Sequence, residues 1–305
     1  MDTLRIATRK SPLALWQAAA ISRALTHAHP GLTCELVPMS TQGDIFLEAR
    51  LTEVGGKNMF VKELERAILA GDADFAVHSM KDVTAQLPPE LSIAVMTARE
   101  DPRDAFVSNS APTLAALPLG ARIGTASSRR QCQLLATRPD LQVGLVRGNV
   151  NTRLAKLDAG EFDALILAAS GLLRLGFGDR IRSHFEPEEM LPSAGQGVMG
   201  IECREDNGRL LALLSAIANP QADAVVRAER AVIAALGGGC HAPMAAFAQV
   251  EPEGTMRLRA LVGSLDGTRL ITVDERRDAG DAEALSAAVA QALLDQGARA
   301  LLDAQ

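Results

Sequence analysis

One cysteine of the chain lies in a glycine-rich stretch that suits covalent chemistry. Gly237, Gly238 and Gly239 precede Cys240, and His241 follows it. Glycines allow positive backbone φ angles and leave a thiol uncrowded, so that a large electrophile can reach it. A metal site would need more ligands than Cys240 and His241. No nucleophile-elbow pattern supports a hydrolase. From these residues alone, a functional thiol and a buried structural cysteine are equally good interpretations.

A local excess of basic residues lies between Ala121 and Leu157. This segment holds seven basic residues against the single acid Asp140, whereas the whole chain has a net charge of -6. The basic residues are Arg122, Arg129, Arg130, Arg138, Arg147, Arg153 and Lys156. Several of them fall where helices begin after strands, and such positions converge on the ligand crevice of an open α/β sheet. Because arginine binds carboxylates bidentately, we predict a site for a ligand with several carboxylates rather than a solvated basic face.

Lys81 and Asp82 come directly after the apolar run 74–79, which is typical of a buried strand. A carboxylate in this position can serve as a general acid or base, or can accept hydrogen bonds from N–H groups of a ligand. On the residues alone, a turn or helix-cap role is the more common one for such an aspartate. His78 is predicted to be a core histidine with a satisfied hydrogen bond.

The polar segment 41–58 contains Gly43, Gly55, Gly56 and Lys57. Its length and its glycines are typical of a mobile lid over a site. It lacks the GxxxxGK[ST] pattern of a phosphate-binding loop.

The elements that must position these residues alternate between strands and helices. The strand-like runs are 4–8, 33–39, 74–79, 121–125, 143–147 and 164–169. Helix caps are predicted at Ser11 before Pro12, at Ser127-Ser128, and at Asn149 or Asn151. Such alternation implies parallel sheets that are covered on both faces. After about Pro220, a helix over 221–236, three strand-like runs and a helix over 281–303 indicate a small α+β domain.

Composition limits the function classes. The chain has 305 residues, of which 48% are hydrophobic and 22% charged, as expected for a globular protein of two or three domains. Aromatic residues make up only 3%, with no tyrosine, so few side chains could stack on bases. The net charge is negative and does not attract nucleic acid, so we expect no nucleic-acid binding. No apolar run approaches a membrane span or a signal sequence, so we expect a cytoplasmic protein with no membrane partner. The four cysteines have neither CxxC nor zinc spacing, so we expect free thiols and no metal.

Taken together, these features resemble the porphobilinogen deaminase family. The matching segments follow one another in the family's order over nearly the whole chain. They are LRIATRKSPLALWQ (4–17), VGGKNMFVKELE (54–65), DFAVHSMKDV (74–83), REDPRDAFVS (99–108), RRQCQL (129–134), RGNVNTRL (147–154), LPSAGQG (191–197) and GGCHAP (238–243). Chance does not explain so many matches at the family's spacings.

The resemblance implies a fold of two α/β domains like the type II periplasmic binding proteins, with a central cleft, plus a small α+β C-terminal domain. Domain 1 is expected over 1–98 with 198–216, domain 2 over 103–192 and domain 3 over 220–305. The resemblance also implies that the protein is a monomer.

The resemblance further implies a transferase of tetrapyrrole and haem biosynthesis. Four porphobilinogen molecules would be condensed, with loss of ammonia, onto a dipyrromethane cofactor, and hydrolysis would release hydroxymethylbilane. The cofactor is expected on Cys240 through a thioether, and Asp82 matches the catalytic carboxylate. The positions that match cofactor-binding residues are Lys81, Asp82, Thr125, Ser127, Arg129 and Arg130. The positions that match substrate-binding residues are Arg9, Ser11, Arg147, Arg153, Arg174 and Gln196. Lys57 matches a residue of the lid.

The chain departs from the family pattern at a few positions. Gly237 stands where the family usually has glutamate, His241 follows the cysteine, and Thr84 replaces a proline. Two other function classes remain as alternatives. A carboxylate-binding solute module with the same cleft would leave the Cys240 domain unexplained. A thiol hydrolase or redox enzyme would lack a triad or a partner cysteine.

Overall fold

The described part of the structure, a computed structural model, contains three β-sheets in two compact units. The described residues are 3–41, 61–84, 87–237 and 242–304. The units are Met1–Glu100 with Val198–Asp223, and Asp101–Gly197 with Ala224–Gln305. One five-stranded sheet lies in the first unit, and a second five-stranded sheet and a three-stranded sheet lie in the second.

The described elements are as follows. The strands are β1 (Thr3–Arg9), β2 (Thr33–Met39), β3 (Phe75–Ser79), β4 (Leu91–Met96), β5 (Asp104–Val107), β6 (Arg122–Gly124), β7 (Gln142–Gly144), β8 (Ala164–Ala168), β9 (Ser183–Phe185), β10 (Met199–Arg204), β11 (Met244–Val250), β12 (Thr255–Gly263) and β13 (Leu270–Asp278). The helices are α1 (Pro12–Ala28), α2 (Lys62–Ala70), α3 (Ser128–Thr137), α4 (Val150–Asp158), α5 (Ala169–Arg174), α6 (Gly208–Leu214), α7 (Pro220–Ala235), α8 (Ala282–Asp295) and α9 (Ala298–Asp303).

The sheet of the first unit has the strand order β2-β1-β3-β10-β4. Strands β1, β2 and β3 are parallel, whereas β10 is antiparallel to both of its neighbours. Helix α1 begins as predicted, because Ser11 accepts a hydrogen bond from the backbone N–H of Ala14 and a proline opens the helix. Its Ile21 and Leu25 pack into a buried core with Phe75 of β3.

The sheet of Asp101–Gly197 repeats this arrangement with the strand order β7-β6-β8-β5-β9. Strands β6, β7 and β8 are parallel, and β5 is the antiparallel strand in the fourth position. One core cluster joins Phe106 and Ile123 to Leu134 of α3. Another joins Leu165 to Leu154 of α4. Helices α3 and α4 therefore pack against this sheet through two separate buried clusters.

The C-terminal sheet is an antiparallel meander of β11, β12 and β13. Gly254 and Gly267, in the two turns, have φ angles of +79° and +72°, a conformation that favours glycine. Helix α8 contacts β12 and β13 and buries Leu285, Val289 and Leu293.

These sheets confirm the predicted fold class of two sheet-and-helix domains with a small C-terminal sheet domain. The prediction of one continuous helix over 281–303 is wrong, because α8 ends at Asp295 and α9 begins at Ala298. Between them Gly297 has a φ of 91°, which breaks the helix. No strand was predicted from the sequence at the positions of β4, β5, β9 and β10.

The close approach of β10 to Met80 gives a test of packing in the first unit. A Cβ atom on Gly200 would overlap Sδ of the fully buried Met80 and would lie 3.3 Å from Cγ2 of Ile93. We expect Gly200→Ala to lower the free energy of unfolding by about 1–3 kcal/mol, because the core must deform to accept the added methyl group. Urea unfolding measures this loss. The control Gly208→Ala adds a Cβ with nothing within 4 Å, and an equal loss there would contradict the packing interpretation.

Candidate functional site

Four predicted site residues of the first unit lie at one edge of its sheet. Arg9 ends β1, and Ser11 caps the helix that follows. Lys81 and Asp82 belong to a 3₁₀ turn that follows β3 directly. Because β1 and β3 are parallel neighbours, their carboxyl ends lie at the same edge. The structure therefore brings these four residues to one side of the sheet.

The turn that carries Asp82 has a fixed backbone. The backbone N–H of the fully buried Met80 donates to the carbonyl of Val198 at 3.0 Å. Just before it, the Ser79 hydroxyl accepts a hydrogen bond from Gln17 Nε2 at 2.8 Å. The Asp82 side chain itself is exposed. An exposed carboxylate on a fixed turn can reach a ligand and can exchange protons with it.

His78 is a core histidine, as predicted. Its Nε2 lies 2.8 Å from Oε2 of Glu202 on β10, and both side chains are buried. Glu65 of α2 is also buried, and burial together with the nearby Glu202 carboxylate raises its pKa. The pair of His78 and Glu202 thus links β3 to β10, which is a structural role.

The predicted site residues of the second unit follow three parallel strands. Thr125, Ser127, Arg129 and Arg130 follow β6, Arg147 and Arg153 follow β7, and Arg174 ends the helix after β8. The carboxyl ends of parallel strands meet at one edge, so these residues share it. Ser127 accepts from the N–H of Arg130 at 3.4 Å, and Asn149 accepts from the N–H of Thr152 at 3.0 Å. Both predicted helix caps are confirmed.

Asp104 binds several side chains at this edge, and no role was predicted for it from the sequence. It is the first residue of β5 and is completely buried. Arg129 donates to its Oδ2 at 2.7 Å, and Arg130 donates to its Oδ1 through Nε and NH2 at 3.0 and 2.7 Å. Gln196 Nε2 also donates to Oδ1, at 3.0 Å. The sequence signal that could have indicated this role is an acidic residue directly before the apolar run 105–107.

The loop 191–197 supplies neutral partners to two of the predicted arginines. Arg129 donates to the carbonyl of Leu191 at 2.7 Å. Arg174 donates to the carbonyl of Gly197 at 2.7 Å. A carbonyl holds a guanidinium in place without neutralising its charge. These arginines are therefore fixed in position and still cationic.

The cluster of Asp104, Arg129 and Arg130 carries an excess positive charge. Burial alone would raise the pKa of Asp104, but the two guanidinium groups hold it well below its usual range. The carboxylate is therefore ionised, and among these three side chains two cations face one anion. Nε of Arg129 is buried and has no hydrogen-bond partner among the described residues. Such a cluster favours an anionic ligand.

The described cysteines are poor nucleophiles. Burial raises the pKa of Cys132 to about 12 and, with the Glu202 carboxylate as a smaller cause, that of Cys203 to about 11. Burial also raises the pKa of Cys34. A thiol with a raised pKa has little reactive thiolate near neutral pH. The low reactivity of these three thiols fits a structural role.

Three of the predicted residues, Lys57, Cys240 and His241, lie outside the described residues, as does nearly all of the segment 41–58. Gly237 is described and has a φ of 68°, and a Cβ there would lie 3.2 Å from NH1 of Arg299. This conformation favours glycine over the glutamate that is usual in the family.

The described ranges contain no group of three or more His, Cys, Asp or Glu side chains that could hold a metal ion. No helix in these ranges is both long enough and apolar enough to cross a membrane.

Comparison with known families gives two matches. The model described as "Porphobilinogen deaminase, dipyromethane cofactor binding domain" matches residues 4–212. The model described as "Porphobilinogen deaminase, C-terminal domain" matches residues 224–295. Together they extend over nearly the whole chain.

Similar solved structures include two binding proteins and one periplasmic domain. A nutrient binding protein from Burkholderia cenocepacia bound to methionine is 13% identical, with a TM-score of 0.46, and the match covers 72% of this chain and 93% of that one. A putative methionine-binding lipoprotein from Bacillus subtilis is 12% identical, with a TM-score of 0.45 and coverages of 72% and 92%. The periplasmic VFT2 domain of BvgS from Bordetella pertussis is 17% identical, with a TM-score of 0.40 and coverages of 70% and 86%.

The first family match identifies dipyrromethane as the cofactor of the chain. The residues present fit such a group. Each of its rings carries carboxylate side chains, and the described edge offers the cationic cluster around Asp104 with a buried, unsatisfied Nε on Arg129. Charge-assisted hydrogen bonds from arginine to carboxylate are among the stronger interactions available to a bound anion.

The ion pairs of Asp104 give a prediction about stability and pH. We expect Asp104→Asn to lower the free energy of unfolding by about 3–5 kcal/mol at pH 7, because two buried guanidinium groups lose their shared anion. The pKa of Asp104 is depressed in the folded state, so its contribution is present above the unfolded pKa of about 3.9 and is lost as the pH falls below it. The stability difference between the wild type and the variant should therefore narrow below about pH 4.

Urea unfolding of both proteins at several pH values measures this difference. The control is Asp158→Asn, which removes an exposed carboxylate paired with Arg180 and should change stability little. A difference between wild type and Asp104→Asn that stays constant from pH 7 to pH 3 would contradict the assigned ionisation.

Proposed function

Because this chain belongs to the porphobilinogen deaminase family, we propose that it condenses four porphobilinogen molecules, with loss of ammonia, onto a dipyrromethane joined to Cys240 by a thioether. Hydrolysis then releases the linear tetrapyrrole hydroxymethylbilane. The observation that carries the proposal is the buried excess of positive charge around Asp104, within a domain that matches the family's cofactor-binding domain.

The arginines of the second unit suit a ligand whose negative charge grows. Each porphobilinogen unit brings an acetate and a propionate, so every condensation adds two carboxylates. Arg129 and Arg130 are buried and held by Asp104, which fits them to hold the permanent cofactor. Arg147 and Arg153 are only half-buried, which fits them to contact the units that are added. Thr125, Ser127, Arg174 and Gln196 complete the proposed binding set.

Asp82 is the proposed catalytic residue. When bound, the cofactor supplies the pyrrole carbon that forms the new bond. Asp82 can accept hydrogen bonds from pyrrole N–H groups and can stabilise the positive charge that develops on the ring nitrogen. It can also give a proton to the departing amine and take one from the substituted ring carbon. Lys81, Arg9 and Ser11, at the same sheet edge, are proposed to bind carboxylates of the cofactor and the substrate.

Cys240 is proposed as an anchor that stays loaded through every turnover. Burial suppresses the reactivity of the described thiols, Cys34, Cys132 and Cys203, so none of them suits attack on an electrophile. The glycines before Cys240 leave its thiol sterically accessible. A thioether, unlike a thioester, is not cleaved by the hydrolysis that releases the product.

The mass of the intact protein tests the proposed anchor. We expect the purified protein to exceed its sequence mass by two linked pyrrole units, and we expect Cys240→Ser to abolish this increment. Intact-protein mass spectrometry measures both. The control Cys34→Ser removes a thiol of raised pKa and should keep the increment. An unmodified mass in a preparation that makes hydroxymethylbilane would refute the anchor, and failure to turn over porphobilinogen despite ligand binding would favour a solute-binding module.

A second prediction concerns Asp82. We expect Asp82→Asn to keep the fold and the cofactor increment but to lower kcat roughly 100-fold or more, because the amide cannot transfer protons or balance a cation. Steady-state formation of hydroxymethylbilane measures kcat, and thermal unfolding checks the fold. The matched control Asp72→Asn changes another exposed aspartate of the same unit and should leave kcat unchanged. Near-normal turnover in Asp82→Asn would remove Asp82 from the proposed mechanism.

A further inference from the structure

The turn between β12 and β13 has a fixed conformation with Gly267 at its tip. The N–H of Ser264 donates to the carbonyl of Arg269 at 2.9 Å, and the N–H of Gly267 donates to the carbonyl of Ser264 at 2.9 Å. Asp266 accepts from the N–H of Thr268 at 3.0 Å. Gly267 has a φ of +72°, which an L residue adopts only with strain.

Gly267 lies against the backbone of α3. A Cβ atom at this position would overlap the backbone nitrogen of Ala136 and would lie 2.6 Å from the carbonyl carbon of Leu135 and 2.8 Å from the carbonyl oxygen of Cys132. These are backbone atoms of a helix, so no side-chain rotation can relieve the contact. Glycine is therefore required both by the turn and by the helix that it touches.

The same helix makes further contacts with this hairpin. Gln131 Nε2 donates to the carbonyl of Leu265 at 3.2 Å. A Cβ on Gly263 would lie 2.9 Å from Sγ of Cys132. Cys132 also belongs to a buried cluster with Phe247 and Leu261 of the C-terminal sheet. The hairpin and α3 are thus packed closely along more than one turn of the helix.

Helix α3 therefore contacts two parts of the unit, each through its own residues. Its first turn carries Arg129 and Arg130, which bind Asp104, whereas Cys132 and Ala136 contact the hairpin. An α-helix rises 1.5 Å per residue and moves largely as a rigid rod, so a displacement at its far end also moves its first turn.

We infer that Gly267 is a positioning residue, which seats α3 on the C-terminal hairpin and thereby places Arg129 and Arg130 for carboxylate binding. The inference rests on the proposed function, because it assigns these arginines to the carboxylates of the cofactor. Ordinary contact with a Cβ begins at 3.4 Å, so a side chain at 267 forces the turn and α3 apart. A shift approaching 1 Å, even one that originates far from the chemistry, can lower catalytic efficiency roughly 100-fold.

The test compares Gly267→Ala with Gly254→Ala in the intact chain. Gly254 lies in the other hairpin of the same sheet and has a similar φ of +79°, but nothing lies within 4 Å of its added Cβ. Both variants carry the strain of a positive φ, and only Gly267→Ala carries the contact with α3. Any difference between them therefore reports the contact.

Hydrogen exchange reports on the packing of α3, and steady-state kinetics report on the reaction. We expect hydrogen exchange of the α3 amides to be faster in Gly267→Ala than in Gly254→Ala. We also expect kcat/KM for porphobilinogen to fall roughly 10–100-fold in Gly267→Ala, because the cofactor that accepts the substrate is misplaced, while Gly254→Ala keeps the wild-type value. A purely structural role would lower the melting temperature of both variants and leave the kcat/KM of the folded fraction unchanged.

The outcomes distinguish this inference from the proposed function. Equal exchange and equal kcat/KM in the two variants would overturn the positioning role. A wild type without the dipyrromethane mass increment and without turnover would refute the proposed function, while a difference in exchange would still show the contact between turn and helix. If Gly267→Ala does not fold, Gly263→Ala replaces it, because its Cβ meets movable side-chain atoms of Cys132 and Leu270. Gly263→Ala should change exchange and kcat/KM in the same direction by a smaller factor, and wild-type values would overturn the inference.

Discussion

The second unit depends on the pairing of one buried aspartate with two buried arginines. Asp104 has no exposed surface, and an unpaired charge at such a depth would be strongly destabilising. Arg129 and Arg130 supply the compensation, and they also fix α3 against β5. The same pairing leaves Nε of Arg129 buried without a hydrogen-bond partner among the described residues. The cluster that stabilises the fold is therefore also the one proposed to bind the ligand.

The topology explains why this acid reaches the arginines. In both five-stranded sheets an antiparallel strand occupies the fourth position, so its amino end lies at the carboxyl edge of the parallel strands. In the second unit that strand begins with Asp104. In the first unit the corresponding strand β10 carries Glu202, which pairs with His78 of β3. Strand β5 thus brings a buried carboxylate to the arginines of α3, and β10 brings one to His78 of β3.

Local patterns in the sequence predict the part of the site that follows parallel strands. Caps at Ser127 and Asn149 and the apolar runs before them place the basic residues at one edge without any knowledge of tertiary contacts. The role of Asp104 could not be predicted in this way, because its partners are 25 and 26 residues away and meet it only through the antiparallel insertion of β5. For the same reason the sequence predicts only a ligand, and not Asp104, as the partner of Arg129 and Arg130. The break at Gly297 was missed because a single glycine in a helical pattern is often tolerated.

The division between buried and half-buried arginines fits the proposed reaction in physical terms. A group that never leaves is bound best by side chains that are already fixed, because no ordering entropy is lost when it binds. Arg129 and Arg130 meet this condition through Asp104 and the loop 191–197. A chain that lengthens with each cycle needs cations that an incoming unit can reach, and Arg147 and Arg153 are half-buried rather than buried. By the inference above, the close packing of α3 on the C-terminal hairpin contributes more than stability. It fixes the helix that carries Arg129 and Arg130 to the sheet that follows Cys240 in the sequence.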